Sequence, residues 1–181
     1  MNAVRAFVQA HPQARFWGIA LALYALWWLG YEQVLRPDGR LDAALSAQVA
    51  WAAAWGLRVF GFMAAVAPSS PTLVTMAGDP AVLVGGPCNG LVLYALFAGF
   101  VLAQPDNGRR KGRFIVIGIA TLYLVNVLRV AALALNHTYW YHTVDFNHHY
   151  TFTFVAYAVI LGLWGWWAQQ QPAARSPEPA A

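Results

Sequence analysis

Charged side chains are scarce in this chain. Asp, Glu, Lys and Arg make up 10% of its 181 residues, where an ordinary soluble domain carries about a quarter, so a conventional water-facing globule is not the expected class. Cysteine is scarcer still: the single Cys88 cannot close an internal disulfide, which excludes a covalent framework and leaves that residue's role to its position. Acidic residues number 7 against 11 Lys and Arg. The basic excess sits at the chain ends and in one loop, which argues for membrane topology rather than nucleic-acid binding. No internal repeat and no soluble second domain is evident.

What the chain does have is apolar length. Hydrophobic residues supply 60% of it, in stretches at 16–35, 43–66, 82–103, 114–135 and 150–167, and about 20 helical residues cross a bilayer core. Residues 104–113 read QPDNGRRKGR, and a short loop holding Arg109, Arg110, Lys111 and Arg113 is expected to stay cytoplasmic. From that loop the flanking spans, 87–103 and 114–135, run outward, and 150–167 returns to the cytoplasm. The first stretch is too long and aromatic for a signal-peptide core and reads as a retained anchor, 16–35, running outward from a cytoplasmic start that bears Arg5 and Arg15. Parity then leaves 43–66, which carries Gln48, Arg58, Gly56 and Gly61, as an interfacial or re-entrant segment, with a fifth span as the alternative.

The expected fold is therefore an all-α integral membrane protein, a multi-pass helical bundle forming one domain over 1–168. A flexible cytoplasmic tail rich in Gln, Pro and Ala follows at 169–181. Between Pro68 and Gly86 two short β-prone runs, 72–76 and 81–84, flank a Gly78, Asp79, Pro80 break. They predict a small extracytoplasmic hairpin or loop before the cysteine helix.

Three chemically capable groups are expected at one depth. Pro87 suits the first turn of a helix, which would put Cys88 in that turn, where unpaired N–H groups and the positive end of the helix dipole favour an anionic sulfur. Arg129 lies 16 residues beyond Arg113 (129 − 113), about 24 Å of helix at about 1.5 Å per residue. An ionisable group inside a span usually faces a polar interior and has a function. Asn126 precedes it by three positions and shares its face. His148 and His149 stand just before the last span. A thiol, a guanidinium and an imidazole at the outer boundary are the groups that nucleophilic acyl transfer needs.

The motifs GGPCNGL at 85–91, NVLR at 126–129 and NHHYTF at 147–152 resemble, in order, spacing and topology, the exosortase and archaeosortase family. The resemblance covers about 85–167. It implies a membrane cysteine transpeptidase or protease of the cell inner membrane, its active site facing the periplasm or exterior. Such an enzyme acts on membrane-tethered proteins and processes their C-terminal sorting signals. By the same resemblance Cys88 corresponds to the nucleophile, Arg129 to the family's arginine, and His148, with His149 as the alternative, to the third member. The family's H-x-x-x-G pattern is absent, Phe152 or Thr153 standing where glycine would be, and the chain is shorter than typical bacterial members. Asn126, Asn89 and Gly90 are candidates for positioning substrate.

No cofactor, resident metal or nucleic-acid partner is expected; the lipid bilayer is. Two other classes compete. One is a metal-binding or metal-sensing membrane protein using His137, His142, Asp145, His148 and His149, weakened by spacing that sets no clear ligand triad on one face. The other is a structural membrane subunit whose nine Trp residues mark the interfaces.

Overall fold

The computed structural model describes residues 12–104, 108–140 and 152–169. Helix α1 covers Pro12–Trp27 and continues into a π-helical stretch, Trp28–Leu35, and a closing turn, Arg36–Asp38. Gly39, at φ +70, ends it in a left-handed conformation that a residue without a Cβ adopts at little cost. Helix α2, Arg40–Val59, follows. The chain then forms strands β1 (Ala64–Val66), β2 (Leu73–Met76) and β3 (Asp79–Leu83), and a 3-10 turn, Gly86–Cys88. Helices α3 (Leu91–Ala103), α4 (Gly108–Tyr139) and α5 (Phe152–Gln169) complete it.

Aromatic contacts fix how four of these helices run. Phe16, early in α1, meets Phe100, late in α3, at 6.3 Å between ring centroids. Phe100 stacks at 4.1 Å on Trp164, late in α5, and Trp167 meets Phe114, early in α4, at 4.6 Å. Lys111 Nζ donates to the Leu102 carbonyl at 3.0 Å, closing an otherwise unpaired carbonyl in the last turn of α3. The start of α1, the end of α3, the start of α4 and the end of α5 therefore share one end of the molecule, and the four helices alternate in direction. Tyr94, Phe97, Val101, Phe114, Leu122, Ile160 and Trp167 form the core of this half. Gly118 is what lets α3 and α4 approach, since a Cβ there would fall on the Phe97 ring.

At the opposite end, α2 and the sheet pack on the second half of α4. The buried residues of α2, Ser46, Val49, Ala50, Ala53, Ala54 and Leu57, recur at helical spacing and make one stripe. The small alanines bring it close to Val130 and Ala134 of α4, and Val74, Met76 and Val84 complete the core. The sheet is an antiparallel meander in the order β1-β2-β3. Its β2–β3 turn is two residues long, with Met76 paired to Asp79 and both Ala77 (φ 52) and Gly78 (φ 96) left-handed, the geometry of a type I′ hairpin. Pro80 falls on edge strand β3 beside a register shift at Val74/Thr75, where its missing N–H is tolerated.

Several expectations are corrected. The chain is mostly helical but not all-α: the hairpin expected at 72–84 is present, and β1 joins it to make three strands. The segment expected at 43–66 splits, because helix α2 ends at Val59 and residues 64–66 are extended; Gly61, at φ +87, turns the chain between them. The cysteine helix begins at Leu91, not at Pro87. Among the described residues Gly108–Tyr139 is the one helix long and apolar enough to cross a membrane, with Leu91–Ala103 and Phe154–Gln169 apolar but shorter. Helix α2 does not meet that measure. The tail beyond Gln169 lies outside the described residues.

Candidate functional site

The loop between β3 and α3 presents Cys88, and hydrogen bonds on both sides fix it. Within the loop, Cys88 N–H donates to the Gly85 carbonyl at 2.8 Å and Asn89 N–H to the Gly86 carbonyl at 3.3 Å, closing the 3-10 turn that Pro87 favours. Gly90 follows at φ +84 and separates this turn from α3. Cys88 is thus three residues ahead of the α-helix rather than in its first turn, and its N–H is already bonded. Asn89 takes over the start of α3: its Oδ1 accepts the Leu91 N–H at 2.9 Å, the local side-chain cap that Asn readily supplies.

On one flank, Asn89 Nδ2 donates to Asp42 Oδ1 at 2.6 Å. The same carboxylate accepts the Tyr31 hydroxyl at 3.1 Å and 2.9 Å to its two oxygens. Asp42 stands in the first turn of α2, where the helix dipole favours a negative charge. Tyr31 is the one buried residue of the π-helical stretch. A π turn takes an additional residue and rotates the side chains after it, a device seen often at functional sites; here it brings the phenol onto Asp42, with its ring 4.2 Å from Trp27. A Cβ at Gly86 would meet Asp42 Oδ1 at 3.6 Å, so the loop lies directly against the carboxylate.

On the other flank, Asn126 of α4 donates from Nδ2 to the Cys88 carbonyl at 2.8 Å. Asn126 is 4% exposed, and leaving its buried amide without this acceptor would cost about 1–3 kcal/mol. The Tyr94 hydroxyl, also buried, neighbours Asn126 and packs on Gly90, but it meets no partner at hydrogen-bonding geometry among the described residues.

Arg129 sits one helical turn beyond Asn126, with about 5–6 Å between Cβ atoms at that spacing. Its Nε is buried and has no hydrogen-bond partner among the described residues. Such an orphaned donor is costly to leave unpaired.

The chain matches no family model, and no curated protein or solved structure is significantly similar to it.

The structure therefore brings together Cys88, Asn89, Gly90 and Asn126 and carries Arg129 on the next turn. His148 and His149 lie outside the described residues, as do His142 and Asp145. Among the described residues no group of three or more His, Cys, Asp and Glu is arranged to hold a metal. Asn89 and Asn126, expected to position substrate, commit amide groups to the cysteine loop itself. Asp42 and Tyr31 were missed. The available signal was the scarcity of acids: with 7 Asp and Glu in 181 residues, a carboxylate between two apolar stretches calls for a partner.

Proposed function

We propose that this protein is a multi-pass membrane enzyme, a cysteine transpeptidase or protease that processes C-terminal sorting signals of exported proteins at the outer face of the inner membrane. The observation that carries the reading is the orphaned Nε of Arg129, one turn along α4 from the asparagine that holds the Cys88 carbonyl. A loop held from two sides beside a buried, permanently charged donor suits a nucleophile whose substrate develops negative charge on oxygen.

The arrangement of helices supports four spans. The end where α1 and α4 begin and α3 and α5 finish carries Arg109, Arg110, Lys111 and Arg113, as a cytoplasmic end should. Helix α4, at 32 residues, reaches about 48 Å against a bilayer core of about 30 Å, so roughly a dozen residues project beyond it. About half of these are the charged start of the helix, 108–113, and the rest lie at its far end, beyond the stretch that packs on α2 and the sheet. Asn126 and the cysteine loop then fall in the outer half of the bilayer, and α2, which packs on the same stretch of α4, is an interfacial segment rather than a fifth span.

In this reading the imidazole of His148 or His149 takes the Cys88 thiol proton, the sulfur attacks the scissile carbonyl carbon of a tethered substrate, and the oxyanion takes a hydrogen bond from Arg129. The C–N bond breaks to leave a thioester on Cys88, and the departing amine takes its proton from the imidazole of His148 or His149. An amine or water then attacks the thioester, releasing product and returning the thiol. The rigid hold on the Cys88 carbonyl keeps the sulfur from drifting as charge moves, which is worth most where geometry sets the rate.

Processing of a membrane-tethered substrate in cells tests this. Cys88→Ala, Cys88→Ser and Arg129→Ala are each expected to lose at least about 100-fold in processing, the scale of a lost nucleophile or oxyanion donor, while the protein still accumulates in the membrane. One of His148→Ala and His149→Ala should match them. Retained processing by Cys88→Ala would leave a structural subunit as the better description.

A further inference from the structure

The end of the molecule remote from Cys88 holds a groove of about 540 Å³ lined by Arg109, Arg110, Arg113, Phe114, Trp166 and Trp167. Three arginines from the first two turns of α4 form one wall, and the last turn of α5 forms the other. No Asp or Glu lines it among the described residues. The Arg110 guanidinium lies 5.0 Å over the centre of the Trp167 ring, a cation–π contact that orients a long side chain. Helix α4 begins here at Gly108, so its first backbone N–H groups and the positive end of its dipole add to the same positive field.

A second observation points to a ligand. Trp167 is 1% exposed, yet its indole N–H has no hydrogen-bond partner among the described residues. A buried donor left unpaired is destabilising, and an oxygen acceptor entering the groove would satisfy it. The chemistry assembled is guanidinium, indole N–H and helix N-terminus, all suited to a phosphate oxygen. The groove is also continuous with apolar surface: Ile117 lines it, and Ile117, Val116 and Trp166 are 48%, 69% and 46% exposed. A free phosphate has no use for that surface, whereas an acyl chain does.

We propose that this groove binds the headgroup phosphate of an anionic phospholipid in the cytoplasmic leaflet, with an acyl chain lying along Ile117 and Val116. The inference rests on the membrane reading of the chain but not on its being a protease. Basic pockets between membrane helices on the cytoplasmic side are suited to such headgroups.

The test uses the full chain reconstituted in phosphatidylcholine bilayers doped with brominated lipid, whose quenching of tryptophan reports lipid contact. Brominated phosphatidylglycerol should quench at several-fold lower mole fraction than brominated phosphatidylcholine. Each arginine near the headgroup contributes about a fivefold gain in affinity (about 1 kcal/mol), so Arg109→Gln with Arg113→Gln should cost about 25-fold and bring the two lipids close to parity. Trp167→Phe, which keeps the ring and removes only the N–H, should weaken the preference without abolishing it, and it stands in if the double variant fails to accumulate. Inorganic phosphate at millimolar concentration should not compete. Equal quenching by both lipids, an unchanged preference in Arg109→Gln with Arg113→Gln, or displacement by inorganic phosphate would each overturn the proposal. Extraction of the chain from membranes by alkaline carbonate would instead overturn the membrane reading, and this inference with it.

Discussion

Replacing Asp42 by Ala tests the architecture of the candidate site most directly, because one carboxylate ties the π-helical stretch of α1 to the cysteine loop. The substitution removes the acceptor for Asn89 Nδ2 at 2.6 Å and for the Tyr31 hydroxyl at 3.1 and 2.9 Å. Hydrogen bonds to a charged group contribute about 1.5–3 kcal/mol each. Both donors share one acceptor group and their losses are coupled, so a total near the lower sum, about 3 kcal/mol, is the reasonable figure. Asn89, at 1% exposed, would be left with a buried N–H that water reaches only if the loop opens.

If that energy acts locally, the open population of residues 85–90 rises by about 100-fold; if it acts globally, Tm falls by about 6–12 °C, at about 2–4 °C per kcal/mol for a chain of this size. Cys88 is the only cysteine, so the rate of maleimide labelling in detergent reads the first and tryptophan fluorescence on heating reads the second. Asp42→Asn should fall between, since an amide oxygen in the place of Oδ1 still accepts from both Asn89 and Tyr31 but without the charge that strengthens those bonds. An Asp42→Ala protein that labels at the original rate and melts within about 1 °C of the original would rule this network out, because the carboxylate would then be holding nothing.

Two further outcomes follow from geometry elsewhere in the molecule. Ala77, the first turn residue of the β2–β3 hairpin at φ 52, carries a strain of about 1–2 kcal/mol that Asn relieves in part; Ala77→Asn should therefore raise the unfolding midpoint, and a lowered midpoint would contradict the turn assignment. Gly118→Ala drives a Cβ into the Phe97 ring, which is 0% exposed and has nowhere to move, so a loss of about 1–3 kcal/mol is expected. Adding Phe97→Leu should recover much of it, and failure of that rescue in denaturation experiments would show that the α3–α4 contact is not what limits stability there.

Much of the helical framework was legible in the chain's composition, because apolar stretches of helical length have few alternatives. The hairpin after Pro68 was legible as well, from β-prone runs around a Gly and Pro break, although its turn falls at Ala77 and Gly78, one residue before that break. The position of Cys88 was less so. Pro87 fits the first turn of an α-helix and of a 3-10 turn equally well, and only the left-handed Gly90 makes the second of these. Strand β1 was hidden because Ala64, Ala65 and Val66 extend an apolar helix pattern without a change of composition.

Residue order along the chain dictates where long apolar helices form, which loop carries the positive charge, and that a cysteine, an asparagine and an arginine fall near the ends of successive apolar segments. These are properties of composition and spacing, and they act over a few residues or along one helix. Tertiary structure alone decided that Asp42 reaches Asn89 across 47 positions and that Asn126 grips the Cys88 carbonyl across 38. It also decided that a π-helical stretch turns Tyr31 inward to complete the network. Contacts of that kind depend on how α2, the sheet and α4 pack together, since a hydrogen bond requires its atoms within about 3 Å, and no local pattern of residues records such a distance.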